Sequence, residues 1–244
     1  MFFSAAITAL LPPVALWTRC VATPAHRSVK RASPPSFYKG HDLPSLKLLY
    51  DGGYTYRDIA RQNATRPLED ILGDGGMTAV RLRIWVNPSD GVYGLQYNLD
   101  MASWFSAKGY AIYLDFHFSD TWADPHKQYI PAAWPENDLT NLSTTLRSYV
   151  NTTAHSFADA NIPLSIVALG NEIHNGMLWH LGQANPLIID SASRIANFTQ
   201  LATLWAAARL GITDAIQTGT TKPTVMIHID NGWDLQLQQT GSQP

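Results

Sequence analysis

The chain has 244 residues, 45% of them hydrophobic and 15% charged, with a formal net charge of −2. That balance excludes wholesale disorder and leaves no basic footprint for a nucleic-acid partner. Beyond the extreme N-terminus no segment approaches the roughly 18–20 apolar residues of a membrane span, so no membrane partner is expected either. The length suits one large domain or two small ones.

Residues Met1 to Trp17 are uncharged and contain Phe2, Phe3, Ile7, Leu10, Leu11 and Val14. After Arg19 comes the small-residue run Val21 to Ala25, so residues 1–25 read as a secretory signal peptide. Pro12-Pro13 interrupts the run and no basic start precedes it, which keeps a disordered extension as the alternative. Residues 26–36 read as a propeptide or linker, with the dibasic pair Lys30-Arg31 ahead of Ala32-Ser33-Pro34-Pro35. Cleavage there would remove Arg19, Arg27, Lys30 and Arg31 and no acid, leaving an acidic mature chain. The single cysteine, Cys20, would be lost, which excludes thiol catalysis. Four N-x-S/T sequons, at Asn63, Asn141, Asn151 and Asn197, point with the leader to an extracellular glycoprotein.

Residues 37–233 read as one domain in which strand-like runs alternate with helices. Strands are expected at 37–42, 78–86, 110–118, Leu164–Leu169 and 224–229. Helices are expected at 67–72, 98–108, 139–160 and 191–209, with Asp138 and Asn141 as caps for the third and Gly109 and Gly211 as stop signals. The strands are apolar at nearly every position, as parallel strands buried on both faces are. Repeated β-α units define an α/β fold. Polar residues gather where the strands end: His41 and Asp42, Asn87 and Asp90, Asp115, His117 and Asp120, Asn171 and Glu172, His228 and Asp230. A (β/α)₈ TIM barrel builds its active site at that end. A doubly wound sheet does so too, but would show a Gly-rich phosphate loop after a strand, and Gly73, Gly75 and Gly76 precede one instead.

Glu172 follows the buried run 165–170, where desolvation can make a carboxyl a general acid; the plainer reading is a helix cap. Arg81 and Arg83 share one strand face, as do Asp115 and His117. Inward arginines can hold carboxylates in a polar pocket. Trp122, in the loop that follows, is either a stacking platform for a sugar or a buried anchor. His41, Asp42, Asp115, His117 and His228 lack the two-apart histidine pair of zinc-dependent barrel hydrolases, so no catalytic metal is expected. No G-x-S-x-G elbow is present.

Tyr38-Lys39-Gly40-His41-Asp42, the run Arg81 to Pro88, the run Leu114 to Pro125, Gly170-Asn171-Glu172-Ile173 and the run Met226 to Asp230 occur in an order that resembles family 53 glycoside hydrolases, the arabinogalactan endo-β-1,4-galactanases. The resemblance implies a (β/α)₈ barrel that cleaves β-1,4-galactan with retention and uses no cofactor. It implies Glu172 as acid/base, Asn171 on the sugar 2-hydroxyl and Arg81 supporting the nucleophile. It further implies Asp42, His117, Asp120, Trp122 and His228 along the substrate cleft. His41 stands where a small residue is usual, and His174 where an arginine is common.

A retaining glycosidase needs a second carboxylate about 5–5.5 Å from the first. The chain has three glutamates, Glu69, Glu136 and Glu172, and only the last ends an expected strand. A full barrel takes about 250 residues and eight strands. The expectation is therefore about five of eight β/α units, a divergent tail at 234–244, and no nucleophile within the chain. Such a chain is expected to be inactive and unstable alone, and monomeric when complete. Alternatives are a galactan-binding remnant without activity, or a related barrel acting on xylan or cellulose.

Overall fold

The computed structural model describes residues 37–188 and 190–234. The expected signal peptide and linker, Cys20 and the tail from 235 onward lie outside the described residues. The elements in chain order are β1 (Gly40–Asp42), α1 (Leu46–Asp51), β2 (Tyr56–Asp58), β3 (Ala64–Arg66), α2 (Leu68–Asp74), β4 (Ala79–Ile84), α3 (Leu95–Ala107), β5 (Ala111–Phe116), α4 (Leu139–Asp159), β6 (Leu164–Leu169), α5 (Ser191–Gln217) and β7 (Thr224–Met226).

Strands β1, β4, β5, β6 and β7 form one parallel sheet in that order. Chain order equals spatial order, each strand pairing with the next through a crossover. The fold is α/β, with five of the parallel strands of a (β/α)₈ barrel. All five expected strands are present, most of them one to three residues shorter at an end.

Alternation sets what each face does. Val80, Leu82, Ile84, Ile112, Leu114, Phe116, Val167 and Leu169 are fully or almost fully buried. They share a core with Met101 and Phe105 of α3, Leu142, Leu146 and Val150 of α4, and Leu204, Ala208 and Ile212 of α5. Burying each such side chain contributes about 1.5–3 kcal/mol, so this face anchors the sheet. The other face presents Arg81 and Arg83 on β4 and Tyr113 and Asp115 on β5. Burial on both faces holds for the central strands but not for β1, whose three residues are exposed.

Three local expectations need correction. Gly211 does not end a helix: α5 runs through it to Gln217. A Cβ there would lie 2.5 Å from Arg147 O and 2.9 Å from Val150 Cβ, so glycine is present to let α5 approach α4. Asn141 is not a cap; Asp138 is, its carboxylate accepting the Asn141 N–H at 2.9 Å. The β2–β3 hairpin lies where no strand was expected. It is held by charge, with Arg66 bonded to Asp58 and, at 2.8 Å, to Asp74, which also accepts from Arg61 at 2.8 Å.

Candidate active site

The strand ends converge on Arg81. Its Nε and Nη2 donate to Asp115 Oδ2 at 2.9 and 2.5 Å, Nη1 donates to Asp42 Oδ2 at 2.5 Å, and Nη2 donates to Asn171 Oδ1 at 2.8 Å. One guanidinium thus ties the ends of β1, β4, β5 and β6 together. Burial opposes its charge, yet Asp115 and Asp42 outweigh burial and hold it well above its usual range. Arg83 donates to both oxygens of Asp42 at 3.2 and 3.0 Å, and its guanidinium sits 4.2 Å from the centre of the Trp122 ring. Two arginines therefore face two aspartates, one buried and one exposed, so the charges of the cluster balance.

Asp115 is fully buried. Its Oδ2 also accepts from His228 Nδ1 at 2.7 Å, and its Oδ1 makes no hydrogen bond within the described protein. The neighbouring Tyr113 hydroxyl is raised above its usual range by burial first and by Asp115 second. His117 accepts the Ala123 N–H on Nδ1 at 3.1 Å, while its buried Nε2 has no partner among the described residues. Burial lowers its pKa to about 3, so this histidine is a neutral structural acceptor that contacts Trp122 edge-on at 5.5 Å.

Beyond β6 the chain turns sharply. Gly170 has φ +104°, and a Cβ there would meet Ile173 Cγ2 at 2.6 Å. Asn171 is buried, its Nδ2 donating to Ala123 O at 2.8 Å and its carbonyl accepting from Gln128 Nε2 at 2.7 Å. Glu172 follows in the left-handed region, φ 53°, which costs a residue other than glycine about 1 kcal/mol or more and recurs at functional sites. Its turn is clipped to the segment after β7 by the Ile173 N–H to His228 O bond at 3.0 Å and by a His174 Nδ1–Asp230 Oδ1 contact.

Of the residues named from sequence, Asp42, Arg81, Asn171 and His228 belong to one bonded cluster, Glu172 adjoins it, and His117 and Trp122 flank it. Trp122 is 37% exposed, between the anchor and platform readings. Asp120 stands apart: its two oxygens accept the Asn87 and Ala132 N–H groups at 3.0 and 2.9 Å, tying its loop to the end of β4. Asp115 stood among the strand-end polar residues and shared a face with His117, but nothing in the sequence marked it as the hub. Gln128 and the His174–Asp230 pair were missed, because contacts between loops leave no periodicity.

A parallel sheet whose strand ends gather a charged cluster beside one carboxyl-bearing turn has the active-site face of a β/α-barrel protein. The glycosyl hydrolase family 53 model matches residues 38–243, and the chain belongs to that family. It is 42% identical over 208 residues to a probable arabinogalactan endo-beta-1,4-galactanase A of Neosartorya fischeri, covering 85% of this chain and 54% of that one. It is 40% identical over 202 residues to arabinogalactan endo-beta-1,4-galactanase A of Aspergillus niger, covering 83% and 53%. A structure from a study of two fungal beta-1,4-galactanases superposes with a TM-score of 0.73 at 40% identity, over 83% of this chain and 56% of that chain. The family 53 catalytic domain of Ignisphaera aggregans gives 0.68 at 29% identity, over 87% and 58%. The chain spans about half the length of the curated relatives it matches.

Proposed function

We propose that this chain forms the acid/base side of a secreted, retaining endo-β-1,4-galactanase, its substrate the β-1,4-galactan backbone of (arabino)galactan. One observation supports it above the others: Glu172 is held in a left-handed turn beside Asn171, which Arg81 and Ala123 already fix. A carboxyl so placed can protonate the leaving glycosidic oxygen and later take a proton from water. Asn171 Nδ2 has one N–H left after its bond to Ala123, enough to donate to a sugar 2-hydroxyl. Arg81 Nη1 likewise keeps one N–H beyond Asp42, which suits support of a second carboxylate. Asp42, His117, Trp122 and His228 would line the cleft, and Asp120 would shape it through its loop. The relatives' names supply the substrate class, and the leader and sequons supply the secretory reading.

The other glutamates do not offer a nucleophile. Glu69 is buried against Tyr50, which donates to it at 2.8 Å, and Lys108 at 3.0 Å, and Glu136 is exposed in a loop. That observation favours a second reading, in which the 244 residues alone bind galactan without cleaving it. The test is Glu172→Gln in a full-length galactanase that includes this chain, assayed on galactan and on activated aryl galactosides. The expected loss on galactan is on the order of 10²–10⁴-fold, with a smaller loss on the activated substrates; equal losses on both would sink the acid/base role. Galactan binding by the 244-residue chain without reducing-sugar release would support the second reading for the chain by itself.

A further inference from the structure

We propose that Asn63 is the principal N-glycan acceptor of this protein, a site turned away from the substrate cleft. The proposal rests on the secretory reading above.

The four sequons occupy different environments. Asn63-Ala64-Thr65 is exposed throughout, and Asn63 sits in a left-handed turn, φ 63°, at the entry to β3. Only its backbone carbonyl is engaged, by Arg57; its side-chain amide makes no hydrogen bond among the described residues. Asn151 is the opposite case. It is half-buried on α4 and its Nδ2 donates to Gly211 O at 3.4 Å, beside the point where an added methyl on α5 would already clash. An oligosaccharide there would part α4 from α5. Asn141 donates through Nδ2 to Asp138 Oδ2 at 2.8 Å, within the capping turn of α4. Asn197 is half-buried on α5 and accepts the Asn185 N–H through Oδ1.

Topology separates Asn63 from the cleft. The site residues occupy the C-terminal strand ends. Arg61 and Arg66 of the hairpin bond instead to Asp74, the last residue of α2 and five residues ahead of β4. The first turn of α2 pairs with Lys108, three residues ahead of β5: Glu69 at 3.0 Å and Asp70 at 2.6 Å. Both anchors lie at the N-terminal strand ends, so a glycan on the hairpin leaves the cleft open to a polymer. The transfer forms a bond from Asn63 Nδ2 to C1 of the first sugar. It breaks the bond from C1 to the oxygen of a lipid-linked diphosphate donor, and the amide proton leaves with that diphosphate.

The experiment is expression in a eukaryotic secretory host, once with residues 1–36 and once with a host leader in their place. Peptide N-glycanase digestion in ¹⁸O-water then converts each occupied Asn to labelled Asp for mass mapping. Label at Asn63 in most secreted chains, none at Asn151, and loss of one glycan's mobility shift in Asn63→Gln with an unchanged unfolding midpoint are expected. Secreted chain with Asn63 unlabelled, or with Asn151 labelled, overturns the proposal. If only the host leader gives secretion, the secretory reading of residues 1–36 fails and the Asn63 result stands by itself. If neither chain is secreted, the retained fraction is mapped in the same way, and absence of label at Asn63 there also overturns it.

Discussion

Asp115 and His228 are 113 residues apart in sequence and 2.7 Å apart in space. The bond joins β5 to the segment after β7 across β6, on the same carboxylate oxygen that receives Arg81. A single buried oxygen thus sets the relative position of three strands, β4, β5 and β7.

Asp115→Asn should therefore damage more than one contact. The amide keeps the shape but leaves Arg81 and Arg83 facing Asp42 alone. Breaking a buried pair from one side costs about 3–5 kcal/mol. Urea unfolding should show a loss of that order, and a midpoint within experimental error of the parent would refute it.

His117 gives the acid limb of stability. Burial is the main reason its pKa falls to about 3; Asp115 works the other way, and Arg81 and Arg83 add to the lowering. The unfolded chain takes up this proton first, near pH 6.5. The contribution is thus intact above about pH 6.5 and is lost at about 1.4 kcal/mol per pH unit as pH falls toward 3. His117→Gln, which can still accept the Ala123 N–H, should flatten the decline of unfolding free energy between pH 6.5 and 4; an unchanged slope would exclude this histidine as its source.

At Gly211 two effects compete. Alanine gains about 1 kcal/mol of helix propensity, but its methyl meets backbone and Cβ at 2.5 and 2.9 Å, and overpacking costs about 1–3 kcal/mol. The clash should win, lowering the thermal midpoint in Gly211→Ala and lowering it further in Gly211→Val. A higher midpoint in the alanine variant would mean that the helices separate freely.

The His174–Asp230 contact holds the turn that bears Glu172. In an active full-length enzyme, His174→Ala should lower kcat on galactan by about tenfold, or 1.4 kcal/mol, with KM little changed. Activated aryl galactosides, which need less protonation, should suffer less, and His174→Arg should restore most of the rate. A matched loss on both substrates would make the pair a purely structural tie.

The sequence was most legible where burial is continuous. The run Leu164–Leu169 is apolar apart from Ser165, and its bounds match β6. The hairpin was illegible because each strand is only three residues long, and the inward positions of β2 are Tyr56 and the polar Asp58, which an ion pair to Arg66 holds. Helix α1 is only six residues long and has no side-chain cap, so neither periodicity nor a start signal marks it. At the site, strand ends announced Asn171 and Glu172, and alternation announced Arg81 with Arg83. Alternation placed Arg83 and Asp115 on the correct face, yet which carboxylate Arg81 would choose depends on register between strands, and no single strand encodes that.

The two bonds of Asp120 have an energetic consequence for ligand capture. By holding the amides of Asn87 and Ala132, this carboxylate fixes the loop bearing Trp122 before any sugar arrives. The conformational entropy of that loop is lost during folding and need not be lost again on association, where each immobilised side chain otherwise costs about 0.5–1.5 kcal/mol.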